Sequence, residues 1–257
     1  NVAIGYDCLK TNTTGAANVA IGKDALALNT TASNNVAVGL SALVSNTTGT
    51  QNVAVGGTAA DANTTGNYNS VLGYNALGSN TTGSRNVAIG RSGLFSNTTA
   101  SDNTVIGYEA MFSNQTGASN TFVGSEAGRD NTANSNTGIG KRALFENTSG
   151  TKNTALGKDA LYTNTTGTDN TAVGIDALQA NTTATRNTAV GSEAAFSNTT
   201  GFSTTAVGCF ALRSNTTGNY NVAMGEGALF TNTTGSNNLA IGYAALDNNT
   251  TASNNTA

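Results

Sequence analysis

The sequence predicts an all-β fold, a parallel β-solenoid in which each turn of the chain, here called a rung, contains 17 residues. A glycine recurs every 17 residues from Gly5 to Gly242 and is present in all fifteen rungs. An apolar residue stands directly before each of these glycines, and the chain contains no proline. A short fixed period of this kind is the signature of a solenoid, in which each repeat mainly contacts its neighbours.

The repeat has the consensus N-[VT]-A-[VI]-G-x-x-A-L-x-x-N-T-T-G-x-x, numbered here from position 1 at the first Asn to position 17. The spacing is broken once, between Asn120 and Asn136, where one residue is missing after Asn131. The deletion falls within a predicted turn. We therefore predict that residues 1–257 form a single array of fifteen rungs with a terminal stub, a segment of a longer fibre.

The Val-Ala-Ile segment at positions 2 to 4 predicts a short strand. Since side chains alternate between the faces of a strand, positions 2 and 4 share one face and the alanine at position 3 lies on the other. Position 4 is apolar in every rung and position 9 is Leu or Met in most, so we predict that these two positions form the core. The predicted core rows include Ile4, Ile21, Val38, Leu9, Leu26 and Leu43.

Two turn signals divide each rung, which predicts two short strands and two turns and leaves no room for a helix. The glycine at position 5 suits a corner that needs positive φ or close backbone approach, and Asn-Thr-Thr-Gly suits the other corner. The predicted structural ladders include Gly5, Gly22, Gly39, Gly56, Gly73, Gly90, Asn12, Asn29, Asn46, Asn63, Asn80 and Asn97.

Two apolar core residues in 17 form a small core, so a single chain is predicted to be only marginally stable. Alanine rows at positions 3 and 8 could face outward and allow a second backbone to approach closely. On that interpretation the chain self-associates along its length. The alternative is that the position-8 alanines, such as Ala25 and Ala42, fill a narrow core beside leucine.

The recurring Asn-Val-Ala-Ile-Gly at 1–5, 18–22 and 86–90 resembles the head repeats of YadA-type trimeric autotransporter adhesins. The longer unit, Asn-Thr-Thr-Gly-x-x-Asn-Val-Ala-Ile-Gly-x-x-Ala-Leu, resembles the repeat arrays of phage tail fibres and bacterial surface fibres. The resemblance covers the whole chain. It implies a left-handed β-roll assembled as an extracellular homotrimer, on a cell surface or a virion, that binds a surface or holds a binding tip away from one.

Composition argues against catalysis and against nucleic-acid binding. The chain has no histidine, and the motifs G-x-S-x-G and HExxH are missing, so we expect no enzymatic activity and no cofactor. Eleven basic and fourteen acidic residues give a net charge of −3 without a basic stripe. Carboxylates at position 7, such as Asp159, Asp176 and Glu193, could bridge a divalent cation, but nearby Lys158 and Arg142 favour an ordinary charged face, so no metal is expected.

The Asn at position 12 occurs in every rung, and fourteen of these residues fit N-x-[ST]. We favour a stacked amide ladder. N-glycosylation is a second interpretation. Ice binding is a third, with hydroxyls exposed on both sides of the Asn, as in Thr11-Asn12-Thr13 and Thr163-Asn164-Thr165.

Aromatic residues recur at position 10 and predict a partly exposed stripe. Such a stripe could pack against a neighbouring chain or bind carbohydrate or another surface. The residues concerned are Phe95, Phe112, Phe145, Tyr162, Phe196 and Phe230.

Taken as a whole, the sequence predicts an extracellular structural fibre segment for rigid display or adhesion. An ice-binding or carbohydrate-binding surface protein is the alternative. The expected partners are further copies of the chain, as a trimer or an end-to-end filament, and a surface glycan or host-cell receptor. No apolar run is long enough to span a membrane. The fourth rung, with Ala60 at position 9, and the eighth, with Gly128, are predicted to fray first.

Overall fold

The computed structural model describes all 257 residues and confirms an all-β solenoid without helices. The chain forms two compact units, Asn1–Thr132 and Ala133–Ala257. The boundary between them falls in the turn that carries the one-residue deletion.

Each rung contributes one three-residue strand. The first unit contains β1 (Val2–Ile4), β2 (Val19–Ile21), β3 (Val36–Val38), β4 (Val53–Val55), β5 (Ser70–Leu72), β6 (Val87–Ile89), β7 (Thr104–Ile106) and β8 (Thr121–Val123). The second unit contains β9 (Thr137–Ile139), β10 (Thr154–Leu156), β11 (Thr171–Val173), β12 (Thr188–Val190), β13 (Thr205–Val207), β14 (Val222–Met224) and β15 (Leu239–Ile241).

Within each unit the strands pair in parallel with the strand of the next rung. The register is direct: Ala3 pairs with Ala20 in the first unit, and Ala155 pairs with Ala172 in the second. Because every pair joins residues one repeat apart, each position of the repeat stacks on itself. Any property of one position therefore becomes a continuous row along the unit.

The prediction of two strands per rung is wrong, because the second half of the rung is not extended. Positions 7 and 9 have positive φ, as in Asp24 (59°) and Leu26 (51°), which is incompatible with a β-strand. The backbone still bonds to the neighbouring rung: the Leu26 N–H donates to the Ala42 carbonyl at 3.0 Å and the Leu28 N–H to the Val44 carbonyl at 3.1 Å. Inter-rung bonding thus continues beyond the strands, through a backbone that is not β.

The prediction that position 4 is a core row is also wrong. Ile4 is exposed, and Ile21 and Val38 are half-buried, whereas the position-3 residues Ala20 and Ala37 are fully buried. The alternation of the strand was predicted, but its direction is reversed. The core between the two sides of the rung is narrow, so it takes the methyl group of alanine and leaves the larger side chains outside.

The other core predictions have mixed outcomes. Leu26 and Leu43 at position 9 are fully buried as predicted, and Leu9, in the first rung, is half-buried. Ala25 and Ala42 at position 8 are also fully buried, which confirms the narrow-core alternative. Neither alanine row faces outward, so neither can provide a surface for another chain.

Positive φ explains why position 9 carries leucine and never a β-branched residue. In the left-handed region, a side chain branched at Cβ crowds its own backbone, and Thr58 is the one β-branched residue of this chain with positive φ. Across the fifteen rungs, position 9 is Leu, Met, Ala or Gly, although the adjacent strand is rich in valine and isoleucine. The residue type at position 9 is therefore restricted by backbone conformation as well as by burial.

The glycine row at position 5 meets both conditions predicted for it. All fifteen have φ between 121° and 148°. A Cβ added at Gly56 would lie 2.4 Å from the carbonyl oxygen of Gly73 in the next rung. Any side chain here would therefore be strained and would push the rungs apart.

One rung of the first unit exchanges a large and a small core residue. Rung 8 has Gly128 at position 9 in place of leucine, and Phe122 at position 3 in place of alanine. Phe122 is fully buried, and a Cβ at Gly128 would lie 2.4 Å from its ring. The phenylalanine thus occupies the space that leucine fills elsewhere, and the core of this rung is not empty.

Candidate functional surfaces

The Asn residues at position 12 form a buried amide ladder, as predicted. Asn164 donates its Nδ2 to Asn147 Oδ1 at 2.7 Å, and Asn181 donates in turn to Asn164 Oδ1 at 2.7 Å. Each also donates to the carbonyl at position 15 of its own rung, as Asn164 does to Gly167 at 3.1 Å. The side chains from Asn29 to Asn232 in this row are fully buried.

The sequence reasoning missed a second amide ladder at position 1. Asn35 accepts the backbone N–H of Asn52 at 2.9 Å and donates its Nδ2 to the Gly49 carbonyl at 2.9 Å. The position-12 residue Asn46 donates to the same Gly49 carbonyl, so the two ladders meet there. The signal was present, since Asn occupies position 1 in every rung except that of Thr204, whose hydroxyl still bonds to Asn187 Oδ1 at 2.9 Å.

The buried ladder bears on the two alternative interpretations of Asn-Thr-Thr. Glycosylation requires an accessible amide, which the buried position-12 residues do not offer in the folded chain. The hydroxyls named for ice binding are occupied: Thr165 Oγ1 donates to the Thr182 carbonyl at 3.1 Å, and Thr163 Oγ1 to the Gln179 carbonyl at 2.8 Å. These hydroxyls link neighbouring rungs.

A different hydroxyl row is exposed, at position 14. It contains Thr14, Thr31, Thr48, Thr65, Thr82, Thr99 and Thr116 in the first unit and Ser149, Thr166, Thr183, Thr200, Thr217, Thr234 and Thr251 in the second. Like residues on adjacent parallel strands lie about 4.8 Å apart, so each unit presents a regular file of hydroxyls.

The outer face of the strands is uncharged, with an apolar row at position 4 and a mixed row at position 2, where seven of the fifteen rungs carry Thr. Positions 2 and 4 carry Val, Thr, Ile, Leu, Met or a single Ser, and none of the fifteen rungs has a charged residue at either position. Leu72 is 50% exposed in the first unit, and Leu156 is 46% exposed in the second. We call the surface formed by positions 2 and 4 the outer strand face. Ile4, Ile21 and Val38, which were predicted to lie in the core, belong to it.

The position-10 aromatic residues are half-buried, and several of them contact one another. Phe95 and Phe112 stack at 5.2 Å between ring centroids, and Phe145 and Tyr162 stack at 5.1 Å. Arg213 lies over Phe196 at 5.2 Å.

Phe230 belongs to the same row and meets Phe210 edge to face. Arg213 also lies over Phe230, at 5.9 Å. The partly exposed stripe is therefore present, and rings of neighbouring rungs and arginine side chains cover part of it.

The position-7 charges of the second unit form ion pairs. Arg142 donates to both carboxylate oxygens of Asp159 at 2.8 and 2.9 Å, and Lys158 lies 2.7 Å from the same carboxylate. Burial by itself would raise the pKa of Asp159, but the hydrogen bonds and charges of Lys158 and Arg142 outweigh it and lower the pKa.

The next carboxylate in this row, Asp176, behaves in the opposite way. Its Oδ1 is buried without a hydrogen-bond partner. Burial raises its pKa, and with the neighbouring charges of Asp159 and Glu193 it outweighs the charges of Lys158 and Arg142, which act in the opposite direction. No cluster of three or more potential ligands suited to a metal ion is present.

Cys8 and Cys209 are both free thiols. The structure has no helix with the length and apolar composition needed to cross a membrane.

Comparison of the chain with protein-family models, with curated proteins and with solved structures found no match. The resemblance to adhesin heads and fibre repeats therefore stays a prediction.

Proposed function

We propose that this chain is a structural segment of an extracellular fibre, without catalytic activity, that associates with further copies of itself and holds a binding function at a fixed place. A homotrimer is the assembly we favour. The observation that carries the proposal is the outer strand face, an uncharged surface whose aliphatic row at position 4 continues along each unit.

The interior supports a rigid scaffold. Two amide ladders, the alanine rows and the glycine row fix each rung against the next through side-chain and backbone bonds. Buried polar groups that are fully hydrogen-bonded favour one arrangement, since any shift between rungs would leave amides unpaired. Such an interior suits a role in which shape is maintained under load.

The outer strand face supports self-association. Three residues of strand are about 10 Å wide, and eight strands spaced about 4.8 Å apart extend the face to roughly 38 Å in the first unit. This face of about 380 Å² is comparable in size to the largest apolar patch of a typical monomer, about 300–600 Å², which is often functional. A second copy fits it because the partner would present the same flat rows at the same spacing.

Sedimentation velocity tests the proposal. We expect the wild-type chain to sediment as an oligomer and Val190→Lys, which places a charge on the outer strand face, to weaken association at least about tenfold, because a buried unpaired lysine is costly. Thr183→Lys is the matched control, since position 14 lies outside this face and is exposed. A wild-type chain that stays monomeric at high concentration, or equal behaviour of the two variants, would contradict the proposal.

Ice binding is a second candidate, favoured by the exposed position-14 hydroxyl row. The hydroxyl row that could contact ice is not the predicted one, because the hydroxyls at positions 11 and 13 form hydrogen bonds within the solenoid. Thermal hysteresis of the wild-type chain, and its loss in a Thr166→Lys variant, would support this function. A wild-type chain without thermal hysteresis would rule it out.

A further inference from the structure

The repeat changes its character at position 7 in rungs 13 to 15. From Asp7 to Glu193 this position is always polar or charged, but the next three rungs carry Phe210, Gly227 and Ala244. No atom lies within 4 Å of the place that a Cβ of Gly227 would occupy. The loss of two long side chains beside a large ring thus opens a space on the surface of the second unit.

This space is a hollow of about 230 Å³ with aromatic walls. Phe210, Phe230 and Tyr243 line it. The rings of Phe210 and Phe230 meet edge to face, with centroids 6.3 Å apart and planes at 84°. Position-6 tyrosines are exposed inside the array as well, as Tyr74 is at 59%, so the ring of Tyr243 is available to a ligand at the opening.

The hollow is also anionic. Glu226 and Asp247 line it, and no lysine or arginine does. Neither carboxylate forms an ion pair within the chain. The nearby Arg213 lies over Phe230 at 5.9 Å, but its guanidinium bonds to Glu193 at 2.7 Å. Two uncompensated negative charges therefore stand beside three aromatic rings.

We propose that this hollow binds a small alkylammonium cation. A cation is attracted to the faces of aromatic rings, and its alkyl groups gain from leaving water there. The carboxylates of Glu226 and Asp247 add a charge attraction that a neutral ligand would not use. The volume is below the range of about 300–1,000 Å³ for drug-sized ligands, which limits the ligand to a head group of a few carbons.

Ligand titration followed by amide NMR tests the site, with choline as the probe and its neutral isostere 3,3-dimethylbutan-1-ol as the comparison. We expect choline to shift amide signals between residues 209 and 248 with a millimolar dissociation constant, and the neutral isostere to bind several-fold more weakly. Glu226→Gln and Asp247→Asn should each weaken choline about threefold. Asp61→Asn is the matched control, because Asp61 occupies position 10 as Asp247 does but lies outside the hollow.

Ala244→Phe should abolish binding by filling the hollow, and position 7 already accepts phenylalanine at Phe210 with φ 58°. Since Glu226 is exposed, Glu226→Gln tests the site even if the larger substitution disturbs folding. The proposal is overturned if wild-type protein does not bind choline at about 50 mM, if the neutral isostere or methyl glucoside binds equally well, or if Glu226→Gln binds choline like the wild type.

Discussion

Individual residues in this chain are selected by backbone conformation as much as by chemistry. The glycine at position 5 sits where φ is positive and the next rung is too close for a Cβ. Leucine at position 9 replaces β-branched alternatives because its backbone is left-handed. Asparagine at positions 1 and 12 supplies a donor and an acceptor that bridge one rung to the next.

The turn after β4 offers a direct test of the glycine row. We expect Gly56→Ala to destabilise the first unit by about 2–3 kcal/mol, because it combines a strained φ of 140° with a 2.4 Å contact to the Gly73 oxygen. Gly57→Ala is the matched control: its Cβ would lie 3.4 Å from the Tyr74 ring, so its effect should stay within about 1 kcal/mol. Urea denaturation measures both, and equal losses would contradict the argument.

The amide ladder makes a second residue-scale prediction. Asn164→Ala removes the acceptor of Asn181 and the donor of Asn147 at once, so two buried hydrogen bonds between rungs are lost. We expect a loss of about 2–4 kcal/mol in the free energy of unfolding. Thr166→Ala, at an exposed position two residues away, should change it by less than about 0.5 kcal/mol. A small loss in Asn164→Ala would show that water replaces the amide.

Asp159 and Asp176 predict opposite dependences on pH. The pKa of Asp159 is lowered in the fold, so it contributes stability above its ordinary pKa of about 3.9, and this is lost as the pH falls through the folded value. The pKa of Asp176 is raised, so its charge opposes folding above the folded pKa, and the penalty disappears as the pH falls to the ordinary value.

At pH 7, Asp176→Asn should therefore raise the melting temperature by roughly 2 °C, and Asp159→Asn should lower it by at least as much. Melting curves between pH 3 and pH 8 measure both variants, and the difference between them should shrink towards pH 3. A lower melting temperature for Asp176→Asn at pH 7 would contradict the claim that the buried charge of Asp176 destabilises the fold.

At the scale of the element, each rung keeps its core volume by compensation. Rung 8 shows this most clearly, since its core is filled from position 3 by Phe122 and not from position 9. Both positions reach the same space, although they lie on opposite sides of the rung. Sequence reasoning placed position 3 outside, so it could not anticipate this exchange.

A double-mutant cycle tests the exchange. Phe122→Ala alone should cost about 3–5 kcal/mol by leaving a cavity, and Gly128→Leu alone should also destabilise, since its Cβ would meet the Phe122 ring at 2.4 Å. The double variant restores the consensus pair and should recover most of the stability, with a coupling energy above about 2 kcal/mol. Additive losses would show that the two side chains do not share one space.

At the scale of the whole molecule, the chain is organised as rows of equivalent residues and not around one globular core. Every position stacks on itself within a unit, so the surface carries a hydroxyl row at position 14, an apolar row at position 4 and a row at position 7 that is mostly polar or charged. A residue that departs from the consensus interrupts its row and changes the local surface or core. The choline-sized hollow and the rung at the unit boundary both arise where the consensus is interrupted.

Hydrogen exchange tests the shortened rung. Residues 120–136 carry the deletion and the unit boundary, so we expect their amides to exchange faster than those of residues 69–85, a complete rung of the first unit. Because the Phe122 ring fills the core of this rung, we expect the faster exchange mainly in the turn after Asn131. Uniform protection across the two segments would contradict the prediction.

The sequence by itself determined the period, the parallel stacking, the glycine corners and the position-12 amide ladder, because each depends on contacts between equal positions of adjacent repeats. Only the tertiary structure decided which strand face is inside, that the second half of the rung has left-handed residues in place of a strand, and where the hollow lies. These three features depend on the distance between the two sides of a rung, which the 17-residue period does not specify. A narrow interior selects alanine, and that turns the aliphatic face towards the surface, where we expect it to meet another copy of the chain.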